Sequence, residues 1–423
     1  MGSPFHGIDA GKRRRRMKSN SLQTDGRLQV SPFESHVRTY ADSLVKDGYA
    51  DQTVRSKLSL IEDLAQWLLR TKLPAKKIDE EQLEAFLKHK RGLHRGDSTT
   101  LEQFLDHLRK NSFVPDRKLC PDDSPLTDIL CRYEKYLCSE RGLAPATILN
   151  YRSLIRAFLH ERFKERPFCP REVKSPDISD FILRRCHCMA VRRVQLMTTA
   201  LRSFFRFLFQ KGELQVDLAA SVPTVADWRL STVPKYLAPQ EVERVLKACN
   251  RRTATGRRDY AILLLLARLG LRAGEIVALQ IDDINWRVGE FVVRGKGLLH
   301  DRMPLPADVG EALASYLRQD RPTCTTRRVF VCMKAPLRGF AGPSTLTTIV
   351  RRGLDRAGLH PAFKGSHLFR HSLATSMLHA GATMGEIGEV LRHRVPNTTE
   401  IYAKVDFSGM RSLAQPWPIG GVQ

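Results

Sequence analysis

Near its carboxyl end the chain holds side chains that could act together on one anionic reaction centre. His367, Arg370, His393 and Tyr402 lie within a stretch that begins at Ser366. His367 and Arg370 are three residues apart, so on a helix they would share one face. A guanidinium can stabilise negative charge, an imidazole can transfer a proton, and a phenol can attack an electrophile. Together these residue types indicate catalysis on an anion.

Short helices joined by tight turns must position these side chains. Ser366 is predicted to cap a first helix, and Gly381 is predicted to end it. Thr383 and Glu386 have the spacing of a capping box, which predicts a second helix. A third, short helix then carries Tyr402.

Two further cations lie upstream of this stretch. Arg272 follows an apolar helix predicted over 260–269, and Glu275 comes three residues later. Residues 281–305 change to the pattern of a β-hairpin. Lys296 lies between two glycines at its predicted tip, where a flexible ammonium could reach a ligand.

Read in chain order, these positions give Arg, Lys, His-x-x-Arg, His and Tyr, and with this set the sequence resembles the tyrosine recombinases of the phage-integrase and Xer type. The resemblance rests on the segments LGLRAGE at 269–275, GKG at 295–297, RMPL at 302–305, HLFRH at 367–371 and LRH at 391–393. It covers about 237–410. Arg392 is a departure, because the family usually has glycine before His393.

The resemblance implies an enzyme that cuts and rejoins DNA without a metal or another cofactor. Tyr402 would attack the phosphodiester and hold the strand as a 3′-phosphotyrosine. A phenol with a pKa near 10 needs both a proton acceptor and a positive field for this step. Arg272 and Arg370 would clamp the phosphate oxygens in planar, bidentate fashion.

The resemblance also implies roles for the remaining residues. Lys296 would protonate the leaving 5′-oxygen, and His367 would handle the proton of the nucleophile. His393 would donate a hydrogen bond to the phosphate, and Glu275 would orient its neighbours. His371 is interpreted as a scaffold residue beside Arg370.

The composition suits a DNA-binding enzyme. Among 423 residues, 69 are Lys or Arg and 45 are Asp or Glu, which gives a formal net charge of +24 and indicates a polyanionic partner. The resemblance implies that this partner is double-stranded DNA and that the enzyme forms a homo-tetramer at synapsis, or a tetramer shared with related recombinases. Nine cysteines without a secretory signal predict reduced thiols in the cytoplasm, associated with the nucleoid. The longest apolar run, 261–267, is too short for a bilayer, so no membrane partner is expected.

The predicted fold is mainly α with a small antiparallel β-sheet, in which tandem helical DNA-binding domains precede a mixed α+β catalytic domain. The tandem arrangement comes from a turn, Gly-x-Ala-x-x-Thr at 48–53, which recurs at 142–147 with similar helices around it. The predicted domains are a disordered basic arm at 1–31, a helical core-binding-like domain at 32–115, a helical core-binding (SAM-like) domain at 116–213, a linker at 214–236, the catalytic domain at 237–410 and a tail at 411–423.

Several alternatives stay open from the sequence. The similarity of the two helical blocks could be chance, and the first block could contact protein or act as a spacer instead of binding DNA. A non-catalytic DNA-binding protein and a type IB topoisomerase are the competing functions. Relaxation of a plasmid that lacks a specific site would identify the topoisomerase. The target DNA, and whether it belongs to a phage, a transposon or a chromosome, is not encoded in these patterns.

Overall fold

The computed structural model describes residues 33–90, 92–115, 125–164, 166–226, 234–295, 300–395 and 398–405. The predicted basic arm, the Lys296 turn and the predicted tail lie outside these residues. The chain divides into two compact units, Met1–Arg117 with Lys334–Pro336, and Lys118–Met333 with Leu337–Gln423.

The described part of the first unit is helical. Its helices are α1 (Glu34–Lys46), α2 (Asp51–Thr71), α3 (Glu80–His89) and α4 (Asp97–Lys110). Gly48 has a φ of +81°, which lets the chain turn sharply between α1 and α2. Asp79 caps α3 by accepting hydrogen bonds from two backbone N–H groups. The apolar faces of the four helices enclose one core that runs from Phe33 to Val114.

A second helical block opens the second unit. Its helices are α5 (Pro125–Ser139), α6 (Pro145–Phe163), α7 (Ser175–Cys186) and α8 (Val191–Gln210). The fixed φ of proline suits the first turn of a helix, where Pro145 lies. The core of this block continues past residue 213, because Leu214, Leu218, Ala219 and Val222 are buried in it. The boundaries of the predicted domains remain predictions.

The two helical blocks bury the same pattern of positions. Each helix of the first block has a partner in the second whose buried residues follow in the same order and with the same spacing. The matching sets are Val37, Tyr40 and Leu44 with Leu130, Tyr133 and Leu137; Leu60, Ile61 and Leu64 with Leu154, Ile155 and Phe158; Ile78, Leu83 and Phe86 with Val173, Ile178 and Phe181; and Leu101, Phe104, Leu105 and Leu108 with Leu201, Phe204, Phe205 and Leu208. This agreement supports duplication over chance similarity.

The rest of the second unit combines helices with a small sheet. Its helices are α9 (Pro239–Lys247), α10 (Ala254–Leu269), α11 (Ala273–Ala278), α12 (Ala307–Gln319), α13 (Ser344–Arg356), α14 (His367–His379) and α15 (Met384–Val390). A 3₁₀ helix, Glu400–Val405, follows α15. Strands β1 (Ile284–Asn285), β2 (Glu290–Arg294) and β3 (His300–Pro304) form an antiparallel sheet in that order. The fold class predicted from the sequence is confirmed.

Two separate cores stabilise this part of the chain. The large core runs from Leu237 to Phe369 around α10, whose residues Ala261–Ala267 are buried all round. A much smaller core holds Ala374, Ile387, Leu391, Tyr402 and Val405. The predicted nucleophile therefore lies in a small satellite core rather than in the main one.

Two local predictions have different outcomes. The capping box of α15 is confirmed, because the Thr383 hydroxyl accepts a hydrogen bond from the Glu386 N–H and the Glu386 carboxylate accepts one from the Thr383 N–H. Ser366 occupies the N-cap position of α14 as predicted, but it does not cap the helix with its side chain. Ser366 already has helical angles, φ −59° and ψ −27°, and its side chain makes no capping bond. A side-chain cap needs the extended backbone that Thr383 has.

No helix in the described ranges is long and apolar enough to cross a membrane.

Candidate active site

Arg272 lies where α10 gives way to α11. Gly270 ends α10 in the left-handed conformation, with a φ of +56°. Arg272 is the residue before α11, and its backbone N–H donates to Oε2 of Glu275 over 2.8 Å. Its guanidinium donates to the other carboxylate oxygen, also over 2.8 Å, while its side chain remains 40% exposed. Glu275 thus holds both the backbone N–H and the guanidinium of Arg272, while part of the side chain stays open to solvent.

Glu275 is buried and shared. Its side chain is 5% exposed, and besides Arg272 it binds Nη2 of Arg392 over 2.7 Å. Arg272 in turn donates through Nη2 to the carbonyl oxygen of Arg392 over 3.4 Å. The two guanidinium groups satisfy the buried carboxylate, which would otherwise be costly to keep ionised.

Arg370 is the most deeply buried cation of the site. It is 3% exposed and lies on α14. Its guanidinium donates to the carbonyl oxygen of Gly270 over 2.5 Å and to that of Leu391. Burial, and then the charges of Arg272 and Arg392, lower its pKa to about 10. It stays charged at neutral pH, so the site keeps a buried positive charge that links the ends of α10 and α15.

The two predicted catalytic histidines flank this charge. His367 begins α14, and burial followed by the charges of Arg370 and Arg272 lowers its pKa. Nδ1 of His393 lies 2.8 Å from the Thr399 hydroxyl. Burial and the same two arginines lower the pKa of His393 to about 4. His393 is therefore neutral at neutral pH, and one ring nitrogen can donate a hydrogen bond.

Tyr402 contacts a histidine other than the predicted one. Its hydroxyl forms a hydrogen bond with Nδ1 of His371 over 2.9 Å. Burial, with smaller effects of His367 and Arg370, lowers the pKa of His371 to about 4, so this ring is a neutral partner at neutral pH. The sequence predicts only a scaffold role for His371 beside Arg370, and not this contact with Tyr402. Its spacing of four residues from His367, on the same helix face, is the signal that could have identified it.

Tyr402 is almost inaccessible in this conformation. Its side chain is 1% exposed, and burial raises its pKa to about 12, although the charge of Arg370 lowers it. A phosphate cannot contact a hydroxyl that water does not reach. The attack on phosphorus predicted for Tyr402 therefore requires a shift of the 3₁₀ helix that carries it.

Most of the predicted site residues come together. The hydrogen bonds of Arg272, Glu275 and Arg370 connect the end of α10, the start of α11 and the segment after α15. His393 belongs to that last segment, directly after Arg392. Lys296 lies outside the described residues, so its position in the site remains a prediction. The strands on either side of it, β2 and β3, pair from Glu290 with Pro304 to Arg294 with His300.

Comparison with known proteins gives the family. The model described as "Phage integrase family" matches residues 235–408, and that described as "Phage integrase, N-terminal SAM-like domain" matches residues 130–212. The integrase/recombinase y4rA of Sinorhizobium fredii is 41% identical over 391 residues, which cover 92% of this chain and 95% of that protein. The chain belongs to the phage integrase family. It is a site-specific tyrosine recombinase.

Other members agree with this assignment. A second integrase/recombinase of Sinorhizobium fredii, y4rF, is 30% identical over 407 residues and covers 93% of each chain. Tyrosine recombinase XerD of Listeria monocytogenes is 28% identical over 294 residues, 66% of this integrase and 95% of XerD.

Solved structures share the fold of this integrase. The XerH recombinase bound to its palindromic difH substrate has a TM-score of 0.54 at 18% identity, covering 85% of this chain and 96% of that one. A lambda integrase tetramer bound to a Holliday junction has a TM-score of 0.51 at 18% identity, covering 79% and 92%.

Proposed function

We propose that this integrase recombines specific DNA sites through a 3′-phosphotyrosine intermediate formed by Tyr402, without a metal. The observation that carries the proposal is the buried Arg370 guanidinium, which binds the carbonyl oxygens at the ends of α10 and α15. It brings Arg272, the His393 segment and the α14 histidines around one point. A phosphodiester placed there would meet two cations and several proton carriers.

The chemical step follows from these groups. The Tyr402 oxygen attacks phosphorus, the bond to the 5′-oxygen breaks, and the enzyme keeps the 3′-phosphate as an ester. The phenolic proton passes to a neutral histidine. His371 holds the hydroxyl before it moves, and His367, one turn earlier on α14, takes the proton during attack. Lys296 supplies a proton to the departing 5′-oxygen. Reversal of these transfers rejoins the strand with its bond energy conserved.

The two arginines supply the positive field that a metal would otherwise provide. Arg272 and Arg370 neutralise charge on the non-bridging oxygens, and His393 donates one hydrogen bond to them. Loss of one such preorganised contact typically costs about 3–4 kcal/mol of transition-state stabilisation. Glu275 fixes the orientation of Arg272. We expect cleavage to continue unchanged in excess EDTA.

The partner is double-stranded DNA, and the working assembly is a tetramer. The net charge of +24 favours a polyanion. Both fold neighbours named above were solved on DNA, and one of them is a tetramer on a Holliday junction. We infer that four copies of this integrase, or copies together with related recombinases, assemble on paired sites. The predicted location is the cytoplasm, at the nucleoid.

The decisive experiment is Tyr402→Phe, which removes the hydroxyl and leaves the ring in its small core. Wild-type protein should form an SDS-resistant adduct with a DNA fragment that carries its site. The variant should bind the same fragment in gel-shift titrations but form no adduct. An adduct from the variant would show that Tyr402 is not the nucleophile.

A type IB topoisomerase would form the same kind of covalent adduct, so a second assay is needed to distinguish it from a recombinase. Plasmids with and without the recombination site should be compared for relaxation. We expect relaxation and recombination only where the site is present. Efficient relaxation of both plasmids would favour the topoisomerase.

A further inference from the structure

The residue before His393 is an arginine in a backbone conformation that favours glycine. Arg392 has a φ of +54°, in the left-handed region. The backbone N–H of Arg392 donates to the carbonyl oxygen of Glu389 over 2.9 Å. The backbone N–H of His393 donates to the carbonyl oxygen of Gly388 over 2.8 Å. These two bonds are the Schellman motif that ends α15, and the position taken by Arg392 is the one where glycine is usual. A side chain is strained here unless its contacts compensate.

The Arg392 side chain makes such contacts. It folds inwards until only 9% of it is exposed. Nη2 binds the Glu275 carboxylate over 2.7 Å, Nη1 contacts the sulfur of Met303, and Nε lies 3.9 Å from the Asp301 carboxylate. Met303 and Asp301 both lie on β3. Arg392 thus contacts the carboxylate that holds Arg272 and, at the same time, the strand that follows the predicted Lys296 turn.

We propose that Arg392 is a positioning residue of this recombinase, which acts by fixing Glu275, and through it Arg272, against β3. Without Arg392, both oxygens of Glu275 would be bound by Arg272 alone, through its backbone N–H and its half-exposed guanidinium. With Arg392 on Oε2, the carboxylate is also anchored to a second segment of the chain and presents Arg272 in one orientation. This inference rests on the proposed function, because its effect on rate requires Arg272 to act on the scissile phosphate.

The glycine variant isolates the side chain from the backbone. Arg392→Gly removes the contacts with Glu275, Met303 and Asp301, while glycine suits the left-handed conformation, so the end of α15 and the place of His393 are kept. Arg392→Asn is a second variant, because asparagine also tolerates this conformation. Arg392→Lys keeps one charge that can reach Glu275 but cannot reproduce the guanidinium fork. Arg394→Ala is the matched control, since Arg394 is 60% exposed and pairs with the same Asp301 over 3.0 Å.

Single-turnover cleavage at saturating DNA gives the first test. We expect Arg392→Gly and Arg392→Asn to cleave at least about tenfold more slowly, Arg392→Lys to lie between them and the wild type, and Arg394→Ala to stay within about twofold. The affinity for DNA and its dependence on salt should not change. A loss of affinity with a flatter salt dependence would overturn the proposal, because it would make Arg392 a direct phosphate ligand. A wild-type rate in Arg392→Gly would also overturn it.

A double-mutant cycle tests the route through Glu275. If Arg392 acts by way of this carboxylate, Arg392→Gly should have little further effect in a Glu275→Gln background. If the two substitutions reduced the cleavage rate independently, so that their fold losses multiplied in the double variant, the proposal would be contradicted.

Amide hydrogen exchange of the free protein gives a readout that needs no DNA. Arg392→Gly should speed exchange in peptides that cover α11 and β3, and Arg394→Ala should not. Unchanged exchange in both segments would refute the positioning role, even if the protein proved to have a different activity. If the wild type formed no adduct but the exchange changed as expected, the proposed function would fail and the contact role of Arg392 would stand.

Discussion

His371 and Tyr402 form the contact that most directly concerns the proposed nucleophile, Tyr402. The bond joins α14 to the 3₁₀ helix over 2.9 Å and keeps the hydroxyl away from solvent. The hydroxyl has a pKa raised to about 12, so it keeps its proton at neutral pH, and the imidazole has a pKa lowered to about 4, so it is a neutral hydrogen-bond partner. The pair therefore holds the hydroxyl in its protonated form in this conformation.

The low pKa of His371 predicts how stability depends on pH. The folded state resists protonation of this ring, while an unfolded histidine takes a proton near pH 6.5. Between about pH 6.5 and 4 the unfolded state therefore binds more protons, and the free energy of unfolding falls as pH falls. His371→Asn cannot titrate, so we expect its loss of stability from pH 7 to 5 to be smaller by roughly 1 kcal/mol, allowing for partial exposure of the ring.

Urea unfolding at pH 7, 6 and 5 would measure this difference. Because the pKa of His393 is lowered in the same way, the variant should keep part of the pH dependence. Parallel curves for the wild type and His371→Asn would contradict the assignment.

At the scale of elements, the turn between α10 and α11 sets the position of Arg370. Gly270 has a left-handed φ, and its carbonyl oxygen accepts a hydrogen bond from the Arg370 guanidinium. A methyl group at this position would lie 2.7 Å from the Leu391 side chain and 3.1 Å from that of Leu373. The turn thus packs against two helices of the small core that holds Tyr402.

This packing predicts opposite results for two neighbouring glycines. Gly270→Ala should lower the free energy of unfolding by about 1–3 kcal/mol, since the methyl group overpacks the site and the left-handed backbone is strained. Cleavage should slow as well, because the Arg370 contact moves. Gly274→Ala is the matched control, because nothing lies within 4 Å of its added methyl group. Since alanine is favoured over glycine in a helix, this variant should raise the free energy of unfolding by about 0.5–1 kcal/mol. Urea unfolding and single-turnover cleavage measure both effects. Equal stability of the two variants would refute the argument.

The sequence predicted the helices and the sheet because their signals are local. The capping box at Thr383 and the stop at Gly381 depend only on near neighbours, and the structure has a helix boundary at each. β1 was not predicted, since two residues give too short a pattern. The contact of His371 with Tyr402 spans 31 positions, and the contact of Arg392 with Glu275 spans 117. Such pairings follow from tertiary packing, which residue spacing alone does not encode.

At the scale of the whole molecule, the first helical unit raises the question of what it binds. It repeats the buried pattern of the second block, which favours a second DNA-binding module. Within residues 32–115, however, 13 acidic residues accompany 14 basic ones, which favours the alternative of a protein contact or a spacer. Deletion variants can separate these alternatives without disturbing the catalytic region.

Removal of residues 1–115 should shorten the DNA footprint and flatten the salt dependence of binding. Each lost phosphate contact should reduce the log–log slope by about 0.9. Cleavage of a suicide substrate should persist, because the site residues are in the second unit. Removal of residues 1–31 alone is the control that separates the basic arm from the helical block. An unchanged footprint and slope in the longer deletion would mean that the first unit does not contact DNA.

The matched cores of the two helical blocks also bear on how the chain folds. The buried leucine and phenylalanine residues of α4 and α8 have the same spacing. During folding, each of these helices could therefore pack against the helices of the wrong block. During synthesis from the amino terminus, the first block can fold before α8 has been made, so α8 cannot compete with α4. When the full chain is diluted from denaturant, both helices are available at the same time. Refolded protein should then contain mispaired, aggregation-prone forms that ribosomal synthesis avoids, and equal yields by the two routes would argue against such mispairing.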